Sequence, residues 1–342
     1  MSQIQLSRRS VLAGAGLAIV AMAGAAALIA PASATAPTVA DPALPASIVA
    51  VAPELYPEGF TYDPTRGAFL VGSARWGNVS VVTGEGKVTE LVPPLGPVST
   101  LGIQLDLPRN QGVVAYSDFW IRQKLPAQGP PMSALARFDL ATGEVLQRID
   151  LDPGNTGPTF ANDLTLDADG NAYVTNSVSQ TIVRVTPDGT LTKWRTDARF
   201  AAKIVGANGI TYHPDGFLLV ARYDTGVLYR IPLDAPEQMT EVALPRPITG
   251  VDGMRLNSCG ELVVVTNSIG EAVGVPGGVD AVTVYGSADG WTSASVRRQT
   301  NPWPLSGPTT VAFTPSGDYI LSGNVGVLLS GGTSNELTIS RF

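Results

Sequence analysis

Internal repetition constrains this chain more than any other feature. One opening motif recurs six times, as Glu58-Gly-Phe-Thr-Tyr-Asp63, Leu101-Gly-Ile-Gln-Leu-Asp106, Asn162-Asp-Leu-Thr-Leu-Asp167, Asn208-Gly-Ile-Thr-Tyr-His213, Asp252-Gly-Met-Arg-Leu-Asn257 and Thr309-Thr-Val-Ala-Phe-Thr314. A glycine-containing turn follows each, as at Asp169-Gly170, and then a β-rich second strand such as AYVTNS or ELVVVT. Third strands follow, such as Thr181–Val185, and then fourth strands such as Leu191–Arg195. Six four-stranded units at spacings of 43, 61, 46, 44 and 57 residues predict an all-β six-bladed β-propeller, because a sandwich does not repeat with this period. The last unit stops at its third strand, Glu336–Arg341. Ser47–Val51 is the expected fourth, so the N- and C-terminal segments pair and close the ring.

The predicted propeller spans 47–342, and the sequence before it reads differently. Arg8-Arg9 precedes about twenty uncharged residues (11–30), and Ala32-Ser33-Ala34 offers a cleavage site. Residues 1–34 therefore read as a twin-arginine-type signal peptide, which places the protein outside the cytoplasm, periplasmic or secreted. The alternative is retention of the same stretch as a membrane anchor. Residues 35–46 read as a Pro/Ala linker. Loss of the signal removes two arginines and no acids, taking the formal charge from −7 to −9. Without a basic patch, the mature chain offers neither nucleic acid nor an anionic membrane a footprint. A single cysteine, Cys259, excludes an intrachain disulfide and a thiolate zinc site. The expected partner is a small-molecule substrate, bound by a monomer.

In a propeller the first strand of each blade lines the central channel. The six opening residues, Glu58, Leu101, Asn162, Asn208, Asp252 and Thr309, therefore converge. Two carboxylates and two carboxamides meet there with no Lys, Arg or His among them. Unrelieved, the carboxylates repel until one takes a proton; a divalent cation removes the conflict. All-oxygen donors favour a hard ion, and four protein oxygens plus waters suit Ca2+ better than rigidly octahedral Mg2+. The alternative is a wet tunnel lined by polar residues merely because water fills it.

The motifs Pro57-Glu58-Gly59, Ala161-Asn162-Asp163-Leu164, Ala207-Asn208-Gly209-Ile210-Thr211-Tyr212 and Val251-Asp252-Gly253 resemble the senescence-marker-protein/gluconolactonase (regucalcin-like) family of calcium-dependent lactonases and phosphotriesterases. The resemblance runs over nearly all of 47–342. It implies Glu58, Asn162, Asn208 and Asp252 as metal ligands, Ca2+ as Lewis acid, and Asp252 as general base or nucleophile. Two features depart from the pattern. Blade two opens on Leu101-Gly102 where sugar-lactone enzymes of this kind often carry a polar pair, and the single histidine, His213, falls at a turn on the opposite face. A histidine-dependent mechanism is thereby excluded.

Substrate contacts are expected just beyond the second strands, on the metal face: Arg75, Trp76, Asp118, Trp120, Asn176, Arg222, Tyr223 and Asn267. Arg222 either holds an oxyanion or makes an inter-blade salt bridge; Trp76 and Trp120 either wall a pocket or cover blade edges. Insertions at about 119–133 and 269–278, both between strands two and three, belong over the same mouth, where a lid would sit. Two readings result. One is an exported calcium-dependent hydrolase of a lactone, ester or phosphotriester. The other is a non-catalytic binding propeller with a structural calcium.

Overall fold

Alternating residues and tight turns make each repeat a meander of four antiparallel strands, and six such meanders form six separate four-stranded sheets in the computed structural model. It describes residues 43–124, 129–154, 157–202, 204–275 and 277–342. The predicted signal, and the predicted linker up to residue 42, lie outside these residues. The inner strands are Pro57–Asp63, Ser99–Asp106, Ala161–Leu166, Ala207–His213, Val251–Leu256 and Pro308–Thr314. Each packs against the next and the sixth against the first, so the ring is closed. The six-bladed propeller expected from the repeats is the observed fold.

Closure uses the predicted pairing. Ser47–Val51 lies antiparallel to Glu336–Arg341, with Ile48 opposite Ile339 and Ala50 opposite Leu337. Its burial alternates: Ile48 and Ala50 are buried while Val49 and Val51 face outward. The four described residues ahead of it are tied down as well. The Tyr319 hydroxyl donates to the carbonyls of Leu44 and Pro45, and Leu44 packs on the core shared by the first and last blades. Elsewhere the core lies between neighbouring blades as a series of apolar clusters, such as Leu70, Val98 and Val114 between blades one and two. One expected strand is shorter than anticipated. Blade four pairs its outer strand only over Thr240–Glu241, and Ala243 turns instead to bridge Ser293 of blade five. Pro245 and Pro247 stand directly beyond, and proline contributes no N–H to a ladder.

The Asp169-Gly170 turn is a bend whose carbonyls accept from Arg109 and Arg137 of blade two. Asp167 accepts from the backbone N–H of Asp169 and Asn171, and Gly170 takes φ +82°. His213 ends an inner strand at the equivalent turn of blade four, stacked on Phe217 at 4.2 Å.

Candidate metal centre and its apolar mouth

The same irregularity occurs at the same place in all six blades. Pairing between first and second strands jumps from Pro57↔Ser73 to Phe60↔Val71, so Glu58 and Gly59 together face one residue. Equivalent bulges hold Leu101-Gly102, Asn162-Asp163, Asn208-Gly209, Asp252-Gly253 and Thr309-Thr310. A bulge adds a residue to one strand and redirects its side chains. Here it turns Glu58, Leu101, Asn162, Asn208 and Asp252 onto one small cavity of about 50 Å3. The second bulge position is usually glycine because the neighbouring strand passes too close for a side chain. A Cβ on Gly59 would lie 1.8 Å from the Leu101 carbonyl oxygen, and one on Gly209 would lie 2.4 Å from that of Asp252. Thr309 does not reach the cavity: it is buried and donates to the Glu58 carbonyl at 3.0 Å.

Hydrogen bonds orient the polar floor. Asn208 Nδ2 donates to Asp252 Oδ1 at 3.1 Å, and Asn267 Nδ2 donates to Oδ2 at 2.7 Å, which fixes the carboxylate plane. Asn162 Nδ2 donates to Ser177 Oγ at 3.0 Å. Both amides thus engage through nitrogen. Among the described residues, none donates to Oδ1 of Asn162, to Oδ1 of Asn208 or to the Glu58 carboxylate. Burial raises the Asp252 carboxyl; its two amide donors pull the other way and the Asp163 charge adds to the rise, which reaches about 7. Glu58 is raised well above the usual carboxylate range, first by desolvation and then by the charges of Asp252 and Asp163.

Two residues absent from the predicted site complete this electrostatic picture. Asp163 stands where four of its siblings carry glycine, and its carboxylate is buried. Its Oδ2 lies 3.4 Å from Arg255 Nη1, and Arg255 Nη2 reaches the Ile103 carbonyl at 3.5 Å. Arg255 therefore spans from the inner strand of blade five to those of blades three and two. Its charge pulls Glu58 and Asp163 partly back down. Both departures are visible when the repeats are aligned, since no other repeat has a cation at the Arg255 position.

The donor set suits a hard divalent cation. Two carboxylates and two free amide oxygens converge, and Asn267 holds one carboxylate from outside.

Above this floor the wall is apolar. Leu101, Phe160 and Val205 rise from the ring itself, and three connections between second and third strands reach over it. The first is helix α1 (Phe119–Lys124), which contributes Trp120; the second is a 3-10 turn (Ile269–Val273), which contributes Ile269 and Val273. Both fall within the insertions expected over this mouth. The third, helix α2 (Val325–Leu329), was not expected; it brings Val325 and Leu329. Its signal was the apolar run VGVLL in the long connection of the last blade.

The predicted substrate contacts divide. Trp120 and Tyr223 line the cavity. The Tyr223 hydroxyl donates to Asn267 Oδ1 at 2.9 Å and accepts from Gly270 N–H at 2.7 Å. Arg75 and Trp76 lie to the side, in an adjoining groove. Asp118, Asn176 and Arg222 do not line the cavity, because local structure engages them. Asp118 pairs with Arg122 and accepts from Met132 N–H. Asn176 accepts from Phe160 N–H and donates to Thr159. Arg222 pairs with Asp224 and donates to the Arg199 carbonyl.

The fold recurs in solved structures of low sequence identity. A family model described as Mal s 1 allergenic protein-like matches residues 136–302. The major Malassezia sympodialis allergen Mala s 1 superposes with a TM-score of 0.69 at 19% identity, covering 87% of this chain and 96% of that one. A calcium-binding regucalcin from Agrobacterium tumefaciens superposes with a TM-score of 0.55 at 18% identity, over 85% and 92% of the two chains. A gluconolactonase from Xanthomonas campestris gives 0.56 at 15%, over 85% of each. A search of curated proteins returns no significant match.

Proposed function

We propose that this chain is an exported, calcium-dependent hydrolase of a lactone, ester or phosphotriester. The observation that carries this reading is the ligand set. Glu58, Asn162, Asn208 and Asp252 occupy equivalent bulges around one cavity, and both amide oxygens are without a donor among the described residues. These four residues would hold the ion. When bound, the ion supplies a Lewis acid for the substrate carbonyl or phosphoryl oxygen. The regucalcin and gluconolactonase folds, described as a calcium-binding protein and a lactonase, lend support at the level of architecture.

The chain's own groups do the rest. The cavity admits the ester carbonyl beside Asp252, and the apolar wall keeps bulk water out. In the general-base form of the reaction an Asp252 carboxylate oxygen takes a proton from the attacking water. The water oxygen bonds to the carbonyl carbon, the C–O bond of the ester breaks, and the proton passes to the departing oxygen. In the nucleophilic form the same carboxylate bonds to the carbonyl carbon as the ester C–O bond breaks and the departing oxygen takes a proton from water. The hydroxide left behind then cleaves the acyl–Asp252 anhydride, giving the free acid and restoring the carboxylate. Asn208 and Asn267 hold the Asp252 carboxylate plane in either case. Asp252→Asn is expected to lower turnover of lactones and aryl esters by about 10²–10⁴-fold. A panel of such substrates, assayed with calcium and with chelator beside a metal analysis, tests the reading. Bound calcium that raises thermal stability with no hydrolysis of any panel member would overturn it in favour of a binding propeller. The twin-arginine-type signal, the monomeric state and the small-molecule partner belong to the same proposal.

A further inference from the structure

The wall of the cavity speaks to the kind of ester. A polyhydroxylated sugar lactone needs hydrogen-bonding partners for its hydroxyls, and each one buried without a partner is costly. Above the four-residue floor the cavity offers Leu101, Phe160, Val205, Ile269, Val325 and Leu329. The nearest phenol, Tyr223, is already committed through both its donated and its accepted hydrogen bond. A second, larger space of about 260 Å3 adjoins the first. Ala74, Trp120 and Leu329 line both, so these side chains form the boundary that the two share. The groove runs between Trp76 on blade one, Ile121 on α1 and Leu328 on α2. Its polar groups are occupied only in part: Arg75 pairs with Glu54 at 3.5 Å and stacks on the Trp76 ring at 4.8 Å, while its buried Nε has no hydrogen-bond partner among the described residues, and the Trp76 indole N–H donates to the Pro53 carbonyl at 3.2 Å. Trp76 is nevertheless 44% exposed, a large apolar face left open beside the mouth.

We infer that the substrate is an apolar lactone or ester, its carbonyl over the Glu58–Asp252 floor and its alkyl arm in the groove between Trp76, Ile121 and Leu328. This rests on the hydrolase reading above and names its substrate class. The test is a series of γ-lactones from γ-butyrolactone to γ-dodecalactone, with glucono-1,5-lactone alongside, assayed on the full chain with calcium. At roughly 0.8 kcal/mol per buried methylene, kcat/KM is expected to rise about fourfold for each one added until the groove is full. Glucono-1,5-lactone is expected to be the poorest member. Trp76→Ala and Leu328→Ser are expected to flatten the dependence on chain length. A length-independent series, or a preference for the sugar lactone, overturns the inference while leaving the hydrolase reading intact. If neither a lactone nor any ester of the wider panel is cleaved, the hydrolase reading fails, and a binding measurement decides the groove by itself. Titration with γ-alkyl-γ-lactams, which keep the ring carbonyl but resist hydrolysis, is followed by tryptophan fluorescence. A dissociation constant that falls with alkyl length supports the alkyl groove; one that does not overturns it.

Discussion

Asn267 shows how much of this centre depends on a side chain that does not itself line the cavity. It is buried, donates to Asp252 Oδ2 and to the Pro308 carbonyl through one nitrogen, and accepts from Tyr223 through its oxygen. It thus links the carboxylate to blade six and to the phenol beneath the 269–273 turn. Removing its side chain leaves Asp252 with the single donor Asn208 and leaves the Tyr223 hydroxyl only the longer bond to the backbone carbonyl of residue 267, at 3.3 Å. Asn267→Ala is expected to weaken calcium binding by about 10–100-fold, as outer partners of metal ligands generally do. Calorimetric titration of calcium into the variant checks this; unchanged affinity would mean that Asn208 alone holds the carboxylate. Asn267 is expected from the sequence to touch substrate; the structure places it against Asp252 and Tyr223.

The β-bulge is the element that makes the site. A regular strand would alternate the opening residue and its successor to opposite faces of the sheet, whereas the extra residue directs the opening side chain to the cavity and leaves its successor against the next blade. That is why the successor is glycine at 59, 102, 209 and 253, and why Asp163 in the same role ends up buried. A second element-scale device is the closing strand. Ile48 is 3% exposed and packs in the cluster shared by Phe60, Phe69 and Ile339. Ile48→Ala is expected to cost about 2–4 kcal/mol. Its Ala50 neighbour and the five-residue register with Glu336–Arg341 would remain to hold the ring. Chemical denaturation followed by tryptophan fluorescence measures it, and a loss below about 0.5 kcal/mol would show that this closure contributes little.

At the scale of the whole molecule, one ion would connect four blades, two of which (three and five) are already tied across the axis by Arg255 and Asp163. Metal-free, the centre has an electrostatic cost that depends on pH. The folded-state affinity of Asp252 for its proton is raised from the usual carboxylate value near 4 to about 7, and Glu58 shifts the same way. Between those values the native state binds more protons than the unfolded chain, so stability falls as pH rises. In chelator, the melting temperature is expected to decline from about pH 4 to pH 7 and then to level. Calcium competes with those protons, so its stabilising effect should be larger at pH 8 than at pH 5. Thermal unfolding across that range, with calcium and with chelator, tests the linkage. An equal calcium shift at both pH values would place the ion elsewhere.

The period of the sequence by itself determined the six blades, the four strands in each, the pairing of Ser47–Val51 with Glu336–Arg341 and the ring of opening residues. Those follow from alternation and turn chemistry, which are local and repeat. Aligning the repeats also exposed the four oxygen donors, because residues at equivalent positions of a closed ring must meet at its axis. Tertiary structure decided which candidates actually share a cavity. Asp118 and Arg222 are plausible by position, yet each is drawn off by a partner nearby in the chain, Arg122 and Asp224, while Asn176 is held across its own blade by Phe160 N–H. Arg255 and Asp163 meet across 92 residues of chain, and α2 crosses a mouth whose other walls come from blades one to five. Such encounters depend on the angles between blades and the length of each connection, which no single repeat carries.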